Sequence, residues 1–137
     1  MDSSNVFSVS ASALAAQRQR MNTIASNMAN AQSTRTSEGG PYRRQDVVFA
    51  TDYLDSAQPS LEGVKVNGIV RDDAPFKMIY DPGHPDADND GFVAMPNVNI
   101  IEEMVNMMMA SRSYEASVSA FNISKTMFLK TLELGRV

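Results

Sequence analysis

Asp86, Asp88 and Asp90, followed by Gly91, have the spacing closest to a ligand-binding constellation. Carboxylates at alternate positions ahead of a glycine open an EF-hand calcium loop, where they supply oxygen ligands and the glycine makes the sharp turn. Val93 fits as the apolar residue two past the glycine. The twelfth position, however, is Asn97 rather than a bidentate glutamate, and Asp81-Pro82-Gly83-His84-Pro85 leaves no helix ahead of the loop. The pattern predicts an acidic turn held by Asx hydrogen bonds and leading into a strand, with a weak cation site as the alternative. His84 is the single histidine and cysteine is absent, so thiolate or histidine-rich metal sites and nucleophilic triads have almost no residues to draw on. There is no glycine-rich phosphate loop. Arg18, Arg20, Arg35, Arg43 and Arg44 could form a basic patch, but the net charge of -4 and the lack of an aromatic platform favour pairing with acids on neighbouring segments. The expectation is no enzyme, no cofactor, no metal, no nucleic acid and no small-molecule substrate.

The elements that carry these residues divide the chain in three. Residues 1–34 hold only Asp2, Arg18 and Arg20 as charges, residues 35–96 carry a net -5, and residues 97–137 are neutral overall. With 137 residues, 43% of them hydrophobic and 20% charged, the chain is one domain's worth and is not globally disordered. No run of 18 apolar residues could span a membrane, and the first residues lack a basic region followed by an apolar core, so no cleaved secretory signal is expected.

Residues 5–31 read as a helix that Ser3, Ser4 or Asn5 could cap. Phe7, Leu14, Met21 and Met28 recur every seven residues, with Ala11, Ile24 and Ala25 beside them. The remaining faces are small and uncharged, which suits a helix with neighbours on several sides.

Residues 98–134 read as a second, longer helix. Asn99 stands three residues before Glu102 in a capping-box spacing, and Gly135 is a natural stop. Steps of four and three give a seam of Ile100, Met104, Met107, Ser111, Tyr114, Val118, Phe121, Lys125, Phe128 and Leu132. Met107, Met108 and Met109 point in three directions, about 100° apart. That much apolar surface predicts neighbours beyond a single partner helix, and methionine suits contacts that are not strictly equivalent.

Between the helices, Gly39-Gly40-Pro41, Pro59, Gly63, Gly68, Pro75, Pro82-Gly83 and Pro85 break the chain. Short β-prone runs lie at 46–50, 64–70 and 76–80, with the second broken at Asn67-Gly68. The predicted class is mainly α: long terminal helices with a small β or irregular middle segment at 35–96.

The two ends also resemble a known family. The stretch Ala13–Ala31, ALAAQRQRMNTIASNMANA, resembles the N-terminal motif of bacterial flagellar rod and hook proteins, in which an Ala/Ser-Asn-x-Ala-Asn core, here Asn27 and Asn30, ends the first helix. GIVRDDAPFKMIYDPGHPDADNDGFVAMPNVN and EEMVNMMMASRSYEASVSAFNISKTMFLKTLELGR resemble the proximal-rod branch of that family. Many relatives follow the second Asn with a Thr-Pro-Gly-Tyr turn. Here Ala31-Gln32-Ser33-Thr34-Arg35-Thr36 follows and Gly40-Pro41-Tyr42 comes later, which points to the short proximal-rod type.

The resemblance implies a structural subunit of a helical tube in the cell envelope, its terminal helices forming a coiled-coil layer and one core domain with the middle facing outward, transmitting torque from motor ring to hook. It implies partners among copies of itself, other rod proteins, motor-ring and rod-adaptor proteins, and the type III export apparatus. The location it implies is the periplasmic part of the basal body. Leu14, Met21, Ile24, Asn27, Met28 and Asn30 on the first helix, and Ile100, Met104, Met107, Met108, Met109, Tyr114, Val118, Phe121, Phe128 and Leu132 on the second, are the expected assembly interface. A soluble coiled-coil adaptor is the runner-up reading.

Overall fold

The alternation of β-branched and aromatic residues with polar ones decides the middle of the chain. In the computed structural model, which describes residues 3–53 and 62–135, this middle forms four strands. The order is α1 (Ser3–Ala29), β1 (Gln45–Tyr53), β2 (Glu62–Arg71), β3 (Lys77–Tyr80), β4 (Phe92–Met95) and α2 (Ile100–Leu134). Pro59 lies outside the described residues.

β1 and β2 pair antiparallel from Gln45↔Arg71 to Tyr53↔Glu62. Val47 and Phe49 are half-buried between exposed Asp46 and Val48, the period-two pattern of a ribbon lying on a support, and the half-buried side continues through Ala50 and Asp52. That support is α1, which packs on both strands, and the Val64 N–H donates to Ser12 Oγ at 3.1 Å. The expected break at Asn67-Gly68 is a β-bulge inside one continuous strand, since the register shifts between Val48 and Phe49. β3 and β4 form a second antiparallel pair, Lys77↔Met95 to Tyr80↔Phe92.

The mainly α, coiled-coil expectation is therefore corrected. About 49% of the described residues are helical and 22% are strand, so the class is mixed α/β: two helices and two small antiparallel sheets. The physical reason is twofold. The β-prone runs extend beyond their apolar cores, through Thr51-Asp52-Tyr53 and through the bulge, into full ladders. The helix contact also uses only part of the heptad seam, and its most deeply buried positions are small or polar. Ala16, Thr23, Ile24 and Asn27 of α1 are buried, and on α2 the buried residues are Glu103 and Ala110. Met107, Tyr114, Val118 and Phe121 continue this α2 stripe half-buried, whereas Ile100 and Met104 are 41% and 52% exposed. At the far end Phe7 packs beside Phe121 and Phe128, with ring centroids 5.2 and 6.1 Å apart.

The helix ends follow local chemistry. Asn99 caps α2 by accepting the Ile101 N–H at 3.1 Å. Gly135 stops the helix at φ -81°, without left-handed geometry. Residues 3–5 are already helical, so none of them is the cap expected for α1. α1 ends at Ala29, where Asn30, Ala31 and Ser33 donate backbone bonds back into the turn.

The expected acidic turn leads into β4. Asp88 Oδ1 accepts the N–H groups of Asp90 and Phe92 at 3.0 and 2.8 Å. Gly91 is buried at φ +81°, and a Cβ there would stand 2.9 Å from Tyr80 Cε2 and 3.1 Å from Pro82 Cβ. Gly91→Ala is expected to lower unfolding free energy by about 1–3 kcal/mol, read by urea denaturation, because both backbone and space exclude a side chain.

Candidate functional site

The buried polar residues converge on one point. Asn27, on the last turns of α1, is fully buried, and its amide uses every hydrogen-bonding position it has. Its Nδ2 donates to Gln45 O at 2.7 Å and to Glu103 Oε2 at 3.0 Å. Its Oδ1 accepts from Tyr42 OH at 3.0 Å and from the Gln45 N–H at 2.9 Å. Glu103, also fully buried, receives Arg44 Nε on its other oxygen at 2.7 Å. The Arg44 N–H donates to Asn97 Oδ1 at 2.8 Å, and the Asn97 amide donates to the Asp72 and Ala74 carbonyls, each at 3.1 Å. One cluster thus ties α1, the 42–45 segment, the loop after β2 and the start of α2.

A buried carboxylate is tolerable only when paired and hydrogen-bonded, and both conditions are met. Burial works against the charge of Arg44, yet the hydrogen bond and charge of Glu103, with Asp46 beside it, hold the arginine pKa above its ordinary value. The family motif places Asn27 at the end of the first helix. It is instead a crosslink inside the helix, and no non-glycine described residue has positive φ. Asn30 does work in the turn, donating to Ser26 O at 2.9 Å and accepting Ser33 Oγ at 3.1 Å. The sequence marks Arg44 as a partner for an acid on a neighbouring segment, but not Tyr42, Gln45, Asn97 or the role of Glu103 in this cluster. The available signal was a carboxylate four residues before Met107, in the stripe that turns toward the partner helix.

Of the five arginines expected to pair with acids, Arg35 and Arg44 do so. Arg35 pairs with Asp86, which also accepts Thr34 Oγ1 at 2.8 Å. Arg43 lies over the Phe76 ring, 4.3 Å from its centroid, and donates to the Asp72 carbonyl at 3.2 Å. Arg18 and Arg20 have no acidic partner among the described residues. The Thr34 hydrogen bond, with Arg35, lowers the Asp86 pKa below the ordinary aspartate value. His84 Nδ1 accepts the Asp86 N–H at 3.0 Å, a local turn contact. Among the described residues no cluster of three His, Cys, Asp or Glu could hold a metal ion.

The expected interface residues divide between the helix contact and open surface. Ile24 is buried, Leu14, Met21 and Met28 are half-buried, and Met107, Tyr114, Val118 and Phe121 line the helix contact. Met108 and Met109 are 58% and 57% exposed, and Leu132 is also open. Ile101, Ile123 and Met127 extend this open apolar surface along α2. The three successive methionines do point apart, one toward the partner helix and two away from it.

A clamped helix pair with an uncovered apolar flank is the architecture of a subunit that assembles. The family described as "Flagella basal body rod protein" matches residues 7–35, and the "Flagellar basal body rod FlgEFG protein C-terminal" family matches residues 89–134. The flagellar basal-body rod protein FlgC of Salmonella typhimurium is 48% identical over 96% of this chain and 97% of its own. The FlgC proteins of Escherichia coli O157:H7 and Bacillus subtilis are 49% and 41% identical, over 96% and 95% of this chain and 97% and 96% of theirs. The chain belongs to the FlgC family of flagellar basal-body rod proteins and is a structural subunit of that rod.

Asn27→Ala is expected to cost about 3 kcal/mol of stability by urea denaturation, because it strands Tyr42 OH, two Gln45 backbone groups and one Glu103 oxygen. Asn30→Ala, in a partly solvated turn, should cost no more than about 1 kcal/mol. The Asp86 contribution is present above the ordinary aspartate pKa of about 3.9 and is lost as pH falls through its lower folded value. Melting temperature should therefore fall more steeply on acidification for the wild type than for Asp86→Asn.

Proposed function

We propose that the chain builds the proximal part of the rod by packing its α2 surface against neighbouring subunits, so that the assembled wall transmits torque from the motor ring to the hook. The observation that carries this is the flank of Ile101, Met108, Met109, Ile123 and Met127, each more than half exposed beside a core this small. Apolar surface of this extent marks an interaction site rather than a solvated face. The terminal helices act as one core unit, and the β segment is the outward part of the wall.

The same reading takes copies of this chain, other rod proteins, and motor-ring and rod-adaptor proteins as partners. It places the subunit in the periplasmic part of the basal body, delivered by the flagellar type III apparatus without signal cleavage. The role is structural, with no catalytic step. No described helix is long and apolar enough to cross a membrane.

Substitutions within the methionine triplet separate folding from assembly. Met107→Asp puts a charge against the partner helix and should lower monomer stability by about 3 kcal/mol. Met108→Asp and Met109→Asp should change monomer stability by less than about 0.5 kcal/mol. Both should nevertheless abolish basal-body recovery from cells. Normal basal-body yield from either outward variant would contradict the packing role of this flank.

A further inference from the structure

The bulge in the β ribbon leaves one residue without a place in the ladder. Gly68 stands opposite Val48 and Val66 opposite Phe49, so Asn67 is the residue that the pairing skips. Asn67 is also the one asparagine of the chain followed by glycine. Both residues are exposed, and along residues 64–70 only Val66 is half-buried. Gly68 is not left-handed, and a Cβ built on it would meet nothing within 4 Å. Neither backbone conformation nor space therefore calls for glycine here.

Glycine does leave an unshielded backbone nitrogen beside the Asn67 side-chain amide. With no Cβ in the way, a local motion brings that nitrogen onto the Asn67 Cγ. A two-stranded ribbon with few buried side chains opens locally at little cost. Asp90-Gly91 is the matching aspartate pair, and the fold locks it. Gly91 is buried at φ +81°, and its N–H donates to the Asp88 carbonyl at 3.1 Å. The ribbon packs on α1 and, among the described residues, not on α2, so a neighbour on the α2 flank leaves Asn67 open to water.

We propose that Asn67 is a site of spontaneous modification in the folded protein, converting to aspartate and isoaspartate through a cyclic imide formed with the Gly68 nitrogen. The Gly68 nitrogen bonds to the Asn67 Cγ, the bond from Cγ to the side-chain nitrogen breaks, and that nitrogen leaves as ammonia with the Gly68 proton. Water then opens the ring at either carbonyl, so the balance is one water in and one ammonia out, without redox change. Opening on one side gives aspartate. Opening on the other routes the backbone through the former side chain and lengthens it by a methylene. In a regular strand that would throw the ladder out of register, whereas a residue with no ladder partner absorbs it. The ribbon strands carry Asp46, Asp52 and Glu62 against Lys65 and Arg71, so the added carboxylate takes them from a net -1 to -2.

Peptide mapping of the purified full chain, incubated at mildly alkaline pH, tests this by following each asparagine from amide to acid. Isoaspartate is read by labelling with an isoaspartyl methyltransferase. Residue 67 is expected to be the dominant site, and Gly68→Ala should slow its conversion about tenfold by hindering the attack. The open space at residue 68 leaves that variant folded by circular dichroism. If it melts early, Asn67→Gln replaces it, since its side chain would need a larger ring, and residue 67 should then stay an amide. The aged wild type should melt with the fresh protein. Conversion at residue 67 in urea but not in the folded chain would show that the ladder protects the site and would overturn the proposal. Conversion spread evenly over the asparagines, or an unchanged rate in Gly68→Ala, would overturn it too. An early-melting aged chain would overturn the role of the bulge in absorbing the product.

Discussion

The fully buried hydrogen bond between Asn27 and Glu103 is the constraint on which the rest of the structure depends. It joins residues 76 positions apart and sets which turn of α1 lies against which turn of α2. Neither group tolerates burial alone, so the chain has to deliver Tyr42, Arg44 and the Gln45 backbone to the same place. Those residues lead into β1, which starts at Gln45, so fixing them also fixes where the ribbon starts on α1. The Asn97 amide completes the chain of contacts by holding the loop after β2 against the start of α2. Helix pairing and strand placement are thereby one event, because the same polar atoms satisfy both.

Apolar packing plays the complementary part. The buried hydrophobic residues are few and mostly small: Ala16, Ile24, Val93, Val98 and Ala110. Such a core supplies little driving force compared with the apolar area left open on α2. Directional polar bonds supply specificity where the core is thin, and the large side chains remain on the outside. This distribution suits a subunit whose stability is completed by its neighbours in the rod, since association favours the state it binds.

Much of this was legible in the sequence wherever the signal is local or periodic. Both helices fall within a few residues of their periodic stretches, Asn99 caps as its type predicts, and the Asp88 turn makes its Asx bonds before a strand. The extent of β1 was less legible, because Thr51 and Asp52 look like loop residues until Val64 and Gly63 stand opposite them. Weighting the long helical periodicities over the ladder gave a mainly α class where the fold is mixed. The polar cluster left no periodic trace. Asn27 reads as a helix-end residue, Glu103 stands 76 positions away, and only the three-dimensional register brings the two together. The motif residues Asn27 and Asn30 look alike in sequence, yet one crosslinks the fold and the other closes a turn.

The two fastenings of the helix pair differ in kind, and that gives the molecule a mechanical polarity. Near Glu103 the helices are held by short, directional bonds that resist both sliding and rotation. Near Phe7 they are held by tilted aromatic rings, whose attraction varies gently with angle and offset. Under a twisting load the first end acts as a fixed joint and the second as a bearing. A twisting load would therefore meet more resistance at the Glu103 end, beside the start of the β ribbon, than at the phenylalanine end.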